Sequence, residues 1–497
     1  MYVNPIHAID FYKSGHIYQY PPGTQMVYSN ITPRANTRGI KSKLTDGKVV
    51  VYGIQGFIQW FLIDCFNKEF FRRPLDSIIH EYKARMDTAL GPGAVGTDHI
   101  VDLHKHGSLP LCILALPEGT RINPRVPYAV LYNTHPNFYW LTNYIESVFS
   151  AETWKMVNNA TIAYEFRKLI QHWAIKTMGN ADFVPWQGHD FSFRGMSGLY
   201  DAMACGSAHL TSFLGTDTVP ALDYIDEYYP DENEFLGGSV VAATEHSVMC
   251  AGIAESNELD TFSRLLDIYP EGVVSIVSDT EDYWNVITNI IPQLKEKILA
   301  RKPNALGLAK TVIRPDSGDP YKILVGDEAA PEGSPQRKGT IECLWDIFGG
   351  ERNCLGYRTL HERIGTSYGD SITLELAERI LEGLAAKGFS SANQVFGIGS
   401  YTYQYSTRDT YGQAIKATYC IVNGEGREIY KNPKTDSGVK ASARGILQVR
   451  RDESGELVLV DRLPENEMWQ GELKAVFMNG KLIHQQTFGE IRRRLWG

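Results

Sequence analysis

The stretch KTVIRPDSGDP, residues 310–320, runs from three apolar or β-branched residues into a polar turn carrying Arg314, Asp316, Ser317 and Asp319, with Pro315 and Gly318 shaping the backbone. The same pattern, a short apolar strand ending in a polar loop, recurs upstream as VVSIVSD (273–279) and downstream, with two glycines, as QVFGIGS (394–400). Between the last two lies SITLELAERILEGLAAKGF (371–389), apolar at helical spacing. Strand, loop and helix in repetition predict a parallel sheet or barrel, α/β in class. Ligands in such folds sit at the C-terminal ends of the strands, so the polar residues of these loops are the candidate site.

Working outward, the turn signals Tyr20-Pro21-Pro22-Gly23, strand-like VVVYGIQGFI (49–58) and helical FIQWFLIDCF (57–66) predict a separate α/β layer. Towards the other end, LVLVDRLP (457–464) and LKAVFMNGKLIHQQTF (473–488), with Asn479-Gly480 as a hairpin turn, predict β-structure. GDEAAPEGSPQRKGT (326–340), rich in Gly, Pro and charge, is the expected disordered surface insertion. At 497 residues the chain exceeds what one hydrophobic core serves, so two or three packed units are expected.

A net charge of -9 and a pI near 5.9 argue against nucleic acid as a partner, and an anionic ligand would need a local basic pocket. Seven scattered cysteines with no Cys-x-x-Cys pair predict reduced thiols. The first residues carry no export or organelle signal, and no apolar run reaches membrane-spanning length, so a cytoplasmic protein without membrane contact is expected.

In 310–320 an arginine can fork onto phosphate oxygens while an aspartate holds a metal that neutralises them. On spacing alone, a turn whose aspartate caps the next helix explains the same residues. Ser275, Ser278 and Asp279 pose the same choice between metal or base orientation and a helix cap before TEDYWN. Gly397 and Gly399 would let backbone N–H groups approach a phosphate, or would simply mark a tight turn.

HDFSFRG (189–195), GSAHLTSFLGTDTVPALD (206–223) and VVAATEHSVM (240–249) precede IRPDSGDP in that order. With DFYKSGHIYQYPPG (10–23), STRD (406–409), YKNP (430–433) and KASARG (440–445), they resemble the nicotinamide phosphoribosyltransferase family, whose versions run HDFxxRG, GTDTV, AAEHS, IRPDSG and a GDG-type loop. The likeness spans nearly the whole chain. It implies a type II phosphoribosyltransferase: an irregular α/β barrel with an added N-terminal α/β domain, working as a homodimer with active sites across the interface. On that fold the chain divides into an N-terminal α/β domain (1–110), a connecting region (111–180), the barrel (181–450) and a C-terminal β segment (451–497) packing back on the N-terminal domain. The implied reaction joins nicotinamide to phosphoribosyl pyrophosphate with Mg²⁺, giving nicotinamide mononucleotide and pyrophosphate, with ATP hydrolysis coupled through a phosphohistidine.

The resemblance assigns Phe191, and Tyr12 from the other subunit, to either face of the pyridine ring. It assigns Asp217 to the substrate amide, where a carboxylate accepts from nicotinamide and repels nicotinate. Arg194 and Arg314 fall on the pyrophosphate, where charge builds as the glycosidic bond breaks. Arg34, Arg408, Lys416, Lys431 and Lys440 match basic residues converging on phosphates across the interface. Asp316, Gly369 and Asp370 match ribose and nucleotide contacts, and Gly399 and Ser400 the phosphate loop, with Ser400 where the family commonly has Gly. His246 matches the phosphorylated histidine. If VVAATEHS is a strand, Glu245 faces away from His246 and Asp279 is the carboxylate that orients the imidazole. Asp279 and Asp316 are the expected metal contacts, directly or through water. The spacing around HERIGTSYGDS is longer than in the family's animal members, so Arg363 receives no role.

Overall fold

The computed structural model describes residues 4–36, 39–239, 242–369, 371–431 and 442–497. Two sheets organise it. The first is antiparallel and seven-stranded, in the order Glu425–Glu428, Gln413–Val422, Thr24–Pro33, Ala129–Asn133, Leu111–Ala115, Lys474–Met478, Lys481–Leu482. Gln413–Val422 therefore pairs with Thr24–Pro33 and not with the parallel strands that precede it in sequence. Its apolar side explains this, because Ile415 and Tyr419 enter the same core as Tyr28 and Ile31. The Asn479-Gly480 hairpin closes the far edge, with both residues at positive φ (51° and 81°) as a mirror-type turn requires.

The second sheet is parallel and six-stranded, in the order Gly215–Thr216, Gly188–Phe191, Gln394–Gly399, Ile364–Tyr368, Ala309–Arg314, Gly272–Val277. Its two edges approach one segment: Gly215 forms a parallel bridge with Gly238, and Ser275 with Ala243. The sheet thus curls into the irregular barrel of the expected α/β class, with helices such as Leu374–Ala386 outside.

One helix joins the two halves. Leu141–Met178 is 38 residues and so about 57 Å long. Its first turns bury Tyr144, Val148 and Phe149 in the core of the first sheet, and its later turns bury Ile162, Phe166 and Leu169 in the core of the barrel. No helix among the described residues is long and apolar enough to cross a membrane. All seven cysteines are free thiols.

Two expectations change. The strand read over 49–58 is only Val49–Val50, because Gly53 turns left-handed (φ 96°) and a helix begins at Ile54. The buried Glu118 carboxylate fixes that turn, accepting from the N–H of Gly53 (2.9 Å) and Gln55 (2.6 Å). Residues 326–340 are folded: Ser334 caps a short helix, Arg337 donates back to the Ala330 carbonyl (3.0 Å), and Asp327 pairs with Lys322 (3.0 Å). Polar residues meet their partners within the segment or just before it, which composition alone does not reveal.

Candidate active site

Strand Gly188–Phe191 alternates buried and half-buried residues, with His189 and Phe191 on one side and Asp190 on the other. Asp190 is fully buried and accepts from Ser192 N–H (2.9 Å), Thr216 Oγ1 (3.2 Å) and Thr218 Oγ1 (2.6 Å), tying the strand end to the loop that carries Asp217. The Phe191 ring rests where neighbouring strands have glycine. A Cβ on Gly397 would stand 2.6 Å from its Cδ2, and one on Gly369 would stand 3.7 Å from it. The Arg314 guanidinium carbon lies 5.7 Å from the ring centre, and the His189 ring 4.6 Å.

Asp217 is linked to the Phe191 ring through His189, and the three residues make up the candidate ring pocket. Asp217 Oδ1 accepts from His189 Nε2 (2.9 Å) and from the Ser239 hydroxyl. Partial burial pushes the carboxyl pKa up, but the His189 and Ser239 hydrogen bonds and the charges of His189 and Arg314 outweigh it, holding the group below its ordinary value. Among the described residues, Oδ2 makes no hydrogen bond.

Asp279, at the end of Gly272–Val277, is nearly buried and uses both oxygens. Oδ1 stands 3.2 Å from His246 Nε2, while Oδ2 accepts from Asp316 N–H (3.0 Å) and Ser317 Oγ (2.6 Å). Two of the strand-end loops and His246 are therefore joined through one carboxylate. His246 opens helix His246–Glu255 with Glu245 at its N-cap, so these two residues lie at a helix start and not on a strand; the imidazole is half exposed. Capping falls to other acids: Asp282 caps the helix after Asp279, and Asp319 the helix after 310–318. Arg314 is buried and donates to the Thr244 carbonyl, while among the described residues its Nε has no partner. Asp316 borders Gly369, where a Cβ would meet Asp316 Oδ1 at 2.8 Å.

Arg194 lies exposed in the turn Phe193–Gly195. That turn packs on Ser400, since a Cβ on Gly195 would fall 1.9 Å from Ser400 Oγ. Gly399 is extended and precedes the short helix Ser400–Gln404.

Arg34, Arg408, Lys416 and Lys431 line a different cavity of 770 Å³, together with Tyr12, Lys13 and Glu146. Burial lowers the Lys416 pKa, and Arg34, Lys431 and Arg408 lower it further against the opposing pull of Glu146. Tyr12 is 63% exposed and donates to Asp10 (3.2 Å); among the described residues no ring contact joins it to Phe191. Asp370 and Lys440 lie outside the described residues.

Residues 186–481 match the Nicotinate phosphoribosyltransferase (NAPRTase) family. The chain belongs to that family. A protein of Acinetobacter baylyi named nicotinamide phosphoribosyltransferase is 54% identical over 494 residues, covering 99% of this chain and 97% of that one. One of the same name from Mycoplasma pneumoniae is 33% identical, covering 86% of this chain and 92% of that one. In fold, the chain is similar to a nicotinate-nucleotide pyrophosphorylase from Pyrococcus furiosus, with a TM-score of 0.57 at 14% identity over 100% of this chain and 96% of that one. It is also similar to human nicotinic acid phosphoribosyltransferase, with a TM-score of 0.52 at 16% identity, covering 98% of this chain and 92% of that one. As a member of this family the chain is a pentosyltransferase.

His189 and Ser239, which the sequence reading did not single out, hold Asp217 in the candidate site; Gly397 and Ser317, read there as strand-end loop residues, make room for Phe191 and hold Asp279. His189 carried one legible signal, since it stands two residues before Phe191 on a strand and so shares its face.

Proposed function

We propose that this chain transfers the phosphoribosyl group of phosphoribosyl pyrophosphate to nicotinamide, giving nicotinamide mononucleotide and pyrophosphate. The observation that carries the reading is Asp217, an ionised carboxylate in the ring pocket with one oxygen occupied and the other open. Such a group accepts from a carboxamide N–H and repels the carboxylate of nicotinate. The names of the relatives agree with it.

Phe191 offers its face to the pyridine ring in offset stacking. The ring nitrogen carries its own lone pair, so attack on C1 of the ribose needs no protein base or nucleophile. Catalysis is then positioning together with stabilisation of the departing pyrophosphate. Arg314, whose buried Nε has no partner among the described residues, and the exposed Arg194 supply that stabilisation, while Asp316 holds ribose hydroxyls. Mg²⁺ enters with the pyrophosphate substrate. No group of three or more acidic, His or Cys side chains among the described residues forms a metal cage, and both Asp279 oxygens are engaged, which fits a cation held by Asp316 and Asp279 through water. His246 takes a phosphoryl group from ATP, coupling its hydrolysis to synthesis. The enzyme works as a homodimer in which Tyr12, Arg34, Arg408, Lys416 and Lys431 complete the partner's site.

The test is pyrophosphate release with Mg²⁺ and phosphoribosyl pyrophosphate, offering nicotinamide or nicotinate, each with and without ATP. Release that depends on nicotinamide and rises with ATP is expected; a preference for nicotinate overturns the specificity. Asp217→Asn is expected to narrow the discrimination by about tenfold or more, as removal of one like-charge repulsion predicts.

A further inference from the structure

A carboxylate that distinguishes an amide from an acid has to stay ionised and present one oxygen in a fixed place. A neutral carboxyl would itself donate to nicotinate, and a rotating one would offer no fixed acceptor to the amide. In Asp217 both conditions trace to two neighbours, His189 and Ser239. His189 Nε2 donates to Oδ1 at 2.9 Å, the Ser239 hydroxyl donates to the same oxygen, and among the described residues Oδ2 has no partner. With the Asp217 carboxyl held below its ordinary value, Oδ1 is an acceptor, so Nε2 carries a hydrogen. The imidazole is confined on two sides. Its ring meets Phe191 at 4.6 Å, and a Cβ on Gly215 would stand 2.6 Å from Nδ1, so glycine in the adjacent strand makes the room it occupies. Strand pairing sets the arrangement, because His189 and Gly215 are partners in the parallel register.

We propose that His189 is a positioning residue for ring specificity: with Ser239 it pins one oxygen of Asp217, so that the other is the single fixed acceptor for the substrate's carboxamide. The inference rests on the nicotinamide reading above. It assigns His189 no proton transfer and no contact with the ribose or pyrophosphate.

The experiment compares wild type, His189→Leu and His189→Gln in the full-length enzyme, measuring kcat and KM for nicotinamide and nicotinate and KM for phosphoribosyl pyrophosphate. Leucine keeps bulk beside Phe191 and removes the donor; glutamine places an amide N–H near the position of Nε2. His189→Leu is expected to raise the nicotinamide KM about tenfold, as loss of a hydrogen bond to a charged group does, and to narrow the nicotinamide preference. KM for phosphoribosyl pyrophosphate stays as in wild type, and His189→Gln recovers most of the loss. The proposal is overturned if His189→Leu leaves nicotinamide KM and preference within about twofold of wild type, or if glutamine rescues nothing. Should His189→Leu fail to fold, Ser239→Ala decides: it removes the other donor on Oδ1 and is expected to shift nicotinamide KM in the same direction, and an unchanged value overturns the proposal. Wild type reports on the underlying reading separately, since a nicotinate preference there removes the reading, whereas an indifferent His189→Leu beside a nicotinamide-preferring wild type removes this inference alone.

Discussion

At the first turn of helix His246–Glu255, the His246 imidazole is half exposed and its Nε2 is engaged by Asp279. If His246 takes a phosphoryl group as proposed, a nitrogen held in this way leaves Nδ1 as the nucleophile, and the carboxylate supports the positive charge that develops as the ring attacks phosphorus. The helix N-terminus then favours the phosphoryl group that arrives. None of these features is needed for attack of a pyridine nitrogen on the ribose. On the proposed reading, His246→Ala therefore retains basal nicotinamide mononucleotide synthesis and loses its stimulation by ATP, measured as pyrophosphate release at saturating substrates with and without ATP. Full stimulation in that variant would remove the phosphohistidine role.

At the scale of elements, the two loops carrying Arg194 and Ser400 are fastened from behind by the long helix Leu141–Met178. Lys155 Nζ donates to Asp201 Oδ2 (2.6 Å) and to Gln404, Gln404 donates to Ser197, and Asp201 Oδ2 also accepts from Ser197 N–H (2.8 Å). The ion pair is largely buried, with side-chain exposures of 12% and 20%. Breaking such a pair from one side costs more than the pair contributes, because a charge is left in a poorly solvated place. Lys155→Met is expected to destabilise the fold by about 3 kcal/mol in denaturant titration and to raise KM for phosphoribosyl pyrophosphate, while Lys155→Met with Asp201→Asn recovers part of the stability. A single variant as stable as wild type would show that the clamp is idle. Nothing in the sequence marks Lys155, since a lysine within a long amphipathic helix reads as solvated surface. The strand ends at 273–279, 310–320 and 394–400 were legible because an apolar run and its terminal loop are local features. The partners of Gln413–Val422 were not, because a strand's neighbours depend on which core accepts its apolar side. For the same reason the motif alone marked Phe191 and Asp217, while the hydrogen bond between His189 and Asp217 needed the register of two strands remote in sequence.

For the whole molecule, the cations and the ring pocket belong to different surfaces. Arg34, Arg408, Lys416 and Lys431 gather on the first sheet and its neighbouring loops, whereas Phe191, Asp217 and Arg314 stand at the C-terminal ends of the parallel strands. Burial and the neighbouring cations Arg34, Lys431 and Arg408 disfavour the protonated form of Lys416, and among the described residues Glu146 is the acid that opposes them. In the proposed homodimer these cations meet the phosphate held in the partner's barrel, so each site draws on two chains. This makes a counting prediction. A barrel-side variant, Arg314→Ala, and a sheet-side variant, Lys416→Ala with Arg408→Ala, are each expected to lose most activity alone. Co-expressed in equal amounts they form mixed dimers in which both lesions fall in one site and the other is intact. Half of random dimers are mixed and each has one working site, so about a quarter of wild-type activity returns. Purification through two different tags isolates the mixed species, which is then expected to show about half of wild-type activity per dimer. No recovery in that isolated species would place the cations and the ring pocket in the same chain's site, and would withdraw Tyr12 from the face of the pyridine ring.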